Sequence, residues 1–152
     1  MDDVRLRLDD IGGFELEDLT VGMSACYART VTEADITLFA GLSGDCNPVH
    51  VNEVFAKSTP FKGRIVHGML SASFLSTAIA NRLPGPGSIY VSQNLRFKAP
   101  VRIGDTVEAR ITVTDIIPER RRVMLKTTCS VGDKLVIDGD AEVMLPVRSR
   151  TC

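Results

Sequence analysis

The sequence predicts an α+β fold in which a curved antiparallel β-sheet wraps around one apolar α-helix. Three observations carry this expectation. Residues 69–83, MLSASFLSTAIANRL, hold no charge before Arg82 and place small residues on every face, the pattern of a helix buried all round. After Gly85-Pro86-Gly87 the apolar period changes from helical to two, and four long segments follow with one apolar face each. The 152 residues, 44% hydrophobic and 24% charged, suit a single folded domain over residues 1–152 with a sizeable core.

Taken in order, residues 1–22 show no strong period and read as a loosely structured lead-in, and residues 23–31 as a first strand. Thr32-Glu33-Ala34-Asp35 has the form of a capping box, with Ile36, Phe39 and Ala40 following at helical spacing, so a short helix runs to about Leu42 and ends at Ser43-Gly44. A second short helix starts with Asn52 as cap, carries Val54, Phe55 and Ala56, and stops at Pro60. Phe61 to Arg64 reads as a loop before the apolar helix. In the sheet, Ile89, Val91, Gln93, Leu95 and Phe97 alternate with Tyr90, Ser92, Asn94, Arg96 and Lys98. The series at Val107, Val123 and Leu135 repeat that alternation.

Charge and cysteine usage narrow the function. Eighteen basic and 19 acidic side chains are spread along the chain, for a formal net charge of -1, which argues against nucleic acid as the main partner. Arg120-Arg121-Arg122 reads as a solvated hairpin tip. The four cysteines, at 26, 46, 129 and 152, form no C-x-x-C pair and no metal-ligand spacing. A reducing compartment fits them, and Cys46 reads as an ordinary small side chain. The acidic start MDDVRLRLDD has no apolar signal region, and residues 65–81 are too short and too polar for a membrane span. A cytoplasmic protein is expected, or a mitochondrial-matrix one from a eukaryotic source.

The stretch SGDCNPVH, residues 43–50, concentrates chemistry. Pro48 fixes its own φ and holds Asn47 extended, so Asp45 and His50 sit on a stiff turn. A carboxylate and an imidazole that share one water can take a proton from it and return one elsewhere. The same residues also suit a purely architectural role, with Asp45 making an Asx-turn, Asn47 bracing the loop and His50 flanking a helix. The local sequence leaves both open.

Beyond local sequence, GDCNPVH, the block Ile65-Val66-His67-Gly68-Met69, the run PGPGSIY and the strand ending Leu95-Arg96-Phe97-Lys98-Ala99-Pro100-Val101 before Gly104-Asp105 occur in one order. Together they closely resemble the MaoC-like (R)-specific enoyl-CoA hydratases over residues 21–146. The resemblance implies the hot-dog fold, a homodimer, no cofactor or metal, and a place in fatty acid metabolism. It implies hydration of a trans-2-enoyl thioester of CoA or an acyl carrier to the (R)-3-hydroxyacyl thioester, or the reverse dehydration. By the same resemblance Asp45 and His50 are the catalytic pair, Gly68 offers backbone N–H to the thioester oxygen, and Asn47, His67 and Ser76 support them.

Lys62, Arg64, Arg96 and Lys98 are candidates for the CoA phosphates, none of them singled out. The hot-dog fold also hosts acyl-CoA thioesterases, and a non-catalytic acyl-thioester-binding protein is a third reading, against which the acid–base pair argues.

Overall fold

The computed structural model describes residues 12–147, so the expected lead-in lies partly outside the described residues. Its remaining part is not loose. A 3-10 turn at Leu16–Asp18 places Leu16 and Leu19 in the core, and Phe14 N–H donates to Pro84 O. Two buried leucines three residues apart are too few to give a readable period, yet they suffice to fasten the segment.

Strand β1, Ser24–Thr30, leads into helix α1, Glu33–Ser43. The capping box at Thr32 and Asp35 forms as expected, and Gly44 ends the helix at φ 78, a left-handed conformation that glycine adopts without strain. Helix α2, Pro48–Val51, is a single turn that Asn47 caps, where the sequence reading had only a stiff turn. Proline at the first helical position lacks an N–H that would have no partner there, so Asn-Pro starts a helix as readily as a turn. Asn52 then caps α3, Glu53–Ser58, and α4 spans Gly68–Asn81.

The sheet comprises β1, then β2 (Ile89–Phe97), β3 (Thr106–Ile117), β4 (Arg122–Val131) and β5 (Lys134–Met144). All pairings are antiparallel and the spatial order is β1-β3-β4-β5-β2. Two irregularities correct the simple alternation. A register shift between Tyr90 and Ser92 moves Tyr90 to the same face as Gln93, Leu95 and Phe97, and another near Cys129 lets Val136 and Ile137 both be buried while Leu135 is exposed.

The core fills with Leu75, Ala78 and Ile79 of α4 against Val107, Ile111, Val123 and Leu125 of the sheet. Helix α4 sits off-centre. It packs mainly on β3, β1 and β4, so the inner face of β2 keeps Tyr90 and Phe97 exposed. The helix is therefore not buried all round in the single chain: Met69, Ser73, Ser76 and Ala80 form an exposed stripe at spacings of four, three and four. Among the described residues no helix is long and apolar enough to cross a membrane.

Candidate active site

Asp45 follows the left-handed Gly44, and its two carboxylate oxygens have different surroundings. Oδ1 accepts the N–H of Asn47 at 3.1 Å, which is the Asx-turn of the architectural reading. Oδ2 lies 3.9 Å from His50 Nε2. The Asx-turn and the approach to His50 thus use different oxygens of one carboxylate. Asn47 does brace the turn, since its Oδ1 accepts from Val49 N–H at 3.2 Å.

His50, on α2, is buried. Its Nδ1 lies 2.8 Å from Ile65 O. A carbonyl can only accept, so Nδ1 carries a hydrogen, and in the neutral ring Nε2 then presents its lone pair toward Asp45. A water at about 2.8 Å from both Oδ2 and Nε2 would subtend roughly 90°, close to the angle between its own hydrogens. The pair can therefore accept both hydrogens of one water and leave an oxygen lone pair facing away from the wall.

His67, just before α4, is 1% exposed and stacks on His50 with ring centroids 4.0 Å apart and planes 29° apart. Its Nε2–H donates to Asp45 O at 2.9 Å, and Phe39 covers its ring at 5.0 Å. The 45–50 loop is thereby tied to the start of α4. Asp45, His50 and His67 each bring one possible ligand atom within 4.8 Å of the others. Each imidazole has its other ring nitrogen on a backbone carbonyl, His50 Nδ1 on Ile65 O and His67 Nε2 on Asp45 O.

Asp45 and His50, but not His67, border a cavity of about 430 Å³ whose wall also includes Phe61, Ile65, Gly68, Ser71, Phe97, Lys98, Val101 and Ile137. The hydrogen bonds of α4 begin with Leu70 and Ser71, both to His67 O, so the N–H groups at Gly68 and Met69 lie ahead of the helical ladder and carry the positive end of the dipole. A side chain on Gly68 would collide with Phe97, whose Cε1 lies 2.6 Å from the position of a Cβ. In this structure glycine makes room first for that ring.

The remaining candidates divide. Arg64 is occupied by Glu33, at 2.8 and 2.6 Å, with Glu53 at 3.5 Å; the Glu33 hydrogen bonds raise its pKa further and hold the Glu33 carboxyl below its usual range. Arg96 borders a separate polar depression with Lys126, Asp138 and Asp140, whereas Lys98 lines the cavity and Lys62 adjoins Phe61 at its edge. The expectation that Ser76 stands beside the catalytic pair is not met within one chain. It lies on the exposed stripe of α4, and the serine at the cavity is Ser71, about 140° away around the axis.

Ser71 was missed by the sequence reading. It is buried and its Oγ has no hydrogen-bond partner among the described residues, although its spacing of three from Gly68 could have found it. Below it, Cys129 Sγ–H donates to Ser71 O at 3.7 Å; burial pushes this thiol up to about 12, so it is an inert core group.

Residues 21–134 match the family described as MaoC like domain. An (R)-specific enoyl-CoA hydratase of Rhodospirillum rubrum is 58% identical over 143 residues, covering 94% of this chain and 99% of that protein. A 3-hydroxybutyryl-CoA dehydratase of Methylorubrum extorquens is 50% identical, covering 86% of this chain and 83% of the relative. The solved structure of the unliganded R-hydratase PhaJ1 from Pseudomonas aeruginosa superposes with a TM-score of 0.83 at 44% identity, covering 90% of this chain and 88% of that one.

Proposed function

The chain belongs to the MaoC-like hydratase and dehydratase family, with its hot-dog fold, and from that premise we propose how its residues carry out the reaction. It is a hydro-lyase that interconverts trans-2-enoyl-CoA and (R)-3-hydroxyacyl-CoA. The observation that carries the assignment of the site is the pair Asp45 Oδ2 and His50 Nε2, 3.9 Å apart on the wall of a largely apolar cavity beside the start of α4.

Asp45 and His50 hold the two hydrogens of one water and aim its oxygen at C3 of the enoyl group. As the C3–O bond forms, the water gives a proton to the pair and C2 receives one, so H adds to C2 and OH to C3. The two groups share the acid and base work on this one water. Charge builds on the thioester oxygen during attack, and the free N–H at Gly68 receives it; a strong donor of this kind is worth about 3 to 4 kcal/mol. Asn47 supports the site by capping α2, and His67 by tying Asp45 to α4. Of the four basic candidates, Lys98 lines the cavity, which supports it as a partner for phosphate.

The working unit is a homodimer. The uncovered inner face of β2, its unpaired outer edge and the exposed stripe on α4 together support pairing with a second copy. Ser76 lies on that stripe in line with Met69, which lines the cavity, so its supporting role depends on the dimer. The exposed free thiols of Cys26 and Cys46 suit a reducing, cytoplasmic setting.

Loss of the enoyl-thioester ultraviolet absorbance from crotonyl-CoA, with no thiol released, tests the reaction. Release of free CoA without loss of the double bond would indicate a thioesterase, and neither change would indicate a binding protein.

A further inference from the structure

The segment between α3 and α4 forms one wall of the cavity through Phe61, Ile65 and Val66, yet it contains no regular structure. Its backbone carbonyls are satisfied from outside. Arg102 Nη2 donates to Phe61 O, and Nη1 donates to Gly63 O at 3.0 Å and to Arg64 O at 3.2 Å. The next carbonyl, Ile65 O, holds His50 Nδ1–H.

One guanidinium thus gathers three acceptors, and the fourth fixes the tautomer of the histidine proposed to handle the proton. The guanidinium packs on Gly63, where a Cβ would lie 3.6 Å from Nη1. Between its grips Lys62 is held at φ 59, a left-handed conformation that a side-chain-bearing residue adopts only when its surroundings impose it. Arg102 itself is anchored, because its N–H donates to Asp105 Oδ2 at 2.8 Å and the adjacent Val101 O accepts from Val66 N–H at 2.8 Å.

We propose that Arg102 is a positioning residue: by clamping the carbonyls of Phe61, Gly63 and Arg64 it sets the place of Ile65 O and so keeps His50 in the single tautomer whose Nε2 faces Asp45. The effect on catalysis rests on the role given to His50 above, but the effect on the tautomer does not. A permanently charged planar fork with several donors suits this task, and a lysine, which offers one compact ammonium, reproduces it only in part.

The chain has only two histidines, so nitrogen-15 imidazole spectra of the intact protein can follow His50 directly. Wild-type protein at mildly alkaline pH should show His50 as the Nδ1–H tautomer alone. Arg102→Met should show the two nitrogens averaging, with kcat on crotonyl-CoA down at least about tenfold and a smaller change in the binding of saturated butyryl-CoA, since displacement of a catalytic group by a fraction of an ångström costs rate before affinity. Arg102→Lys should fall between the two.

A folded Arg102→Met that keeps the single tautomer overturns the proposal, whatever its activity. Should that variant fail to fold, Arg102→Lys decides: partial averaging supports the clamp and full retention overturns it. If the wild-type protein does not hydrate crotonyl-CoA, the proposed function falls while the tautomer measurement still tests the clamp.

Discussion

Replacing Asp45 by Asn separates the two jobs of that residue. The amide oxygen can still accept the Asn47 N–H now held by Oδ1 at 3.1 Å, and the backbone carbonyl that receives His67 Nε2–H is untouched. At a half-exposed position the stability loss should stay below about 1 kcal/mol, the worth of a single neutral hydrogen bond. What is lost is the second acceptor for water, because the atom facing His50 across 3.9 Å becomes a donor or a weakly basic oxygen.

General acid–base groups contribute roughly a hundredfold to ten-thousandfold, so Asp45→Asn should lower turnover at least about a hundredfold with little change in melting temperature. His50→Gln should do the same to turnover but cost more stability, since it also removes the stack on His67 and the bond to Ile65 O. If both side chains hold one water, the double variant should be little worse than the more damaged single one. Steady-state hydration of crotonyl-CoA alongside thermal melting measures all three. Near-wild-type turnover in a folded single variant, or a double variant whose loss equals the product of the singles, refutes the shared-water reading.

Gly68→Ala should fold, because the Phe97 ring it strikes is 54% exposed and can swing aside, while turnover falls at least about tenfold as the thioester oxygen is kept from the helix N–H; near-normal kcat in the folded variant removes Gly68 from the site. Sedimentation should find twice the chain mass at micromolar concentration, and Val91→Lys on the exposed edge of β2 should shift it toward monomer with loss of activity; a monomeric, fully active wild type would end the dimer assignment. The Arg29 hydrogen bond, with the Thr32 N–H, holds the Asp35 carboxyl below its usual range. A depressed folded pKa means stability that is present above the unfolded value near 4 and lost as pH falls through the folded one. Asp35→Asn should therefore flatten the acid limb of the melting-temperature profile, and an unchanged limb would show that Asp35 does not contribute to it.

Much of the fold was legible because the sequence states it locally. The capping box at Thr32 and Asp35, the cap at Asn52 and the change of period after Gly87 each depend on neighbours a few residues away, and each forms as read. Errors fall where one residue moves the register. The bulge beside Val91 carries Tyr90 to the inner face, and nothing in an alternating run reveals which strand will take the extra residue. In the site, Asp45, His50 and Gly68, drawn from two separate motif blocks, line one cavity. Arg102 could not be found this way, because what it holds are carbonyls some 40 residues earlier and carbonyls leave no mark on a sequence.

Helix α4 shows the deeper limit of periodicity. Its lack of charge was read as burial all round, but composition reports only that a face tolerates an apolar neighbour, not that the same chain supplies one. Met69, Ser73, Ser76 and Ala80 remain exposed, and so does the inner side of β2 across the cavity from them. An uncharged helix stripe and an edge strand with Tyr90, Val91 and Phe97 exposed are surfaces that the proposed second copy would cover. On that argument the misplaced burial of α4 and the stranded position of Ser76 have a single cause. Both readings treated as intramolecular a packing that, in the dimer proposed above, the second copy supplies.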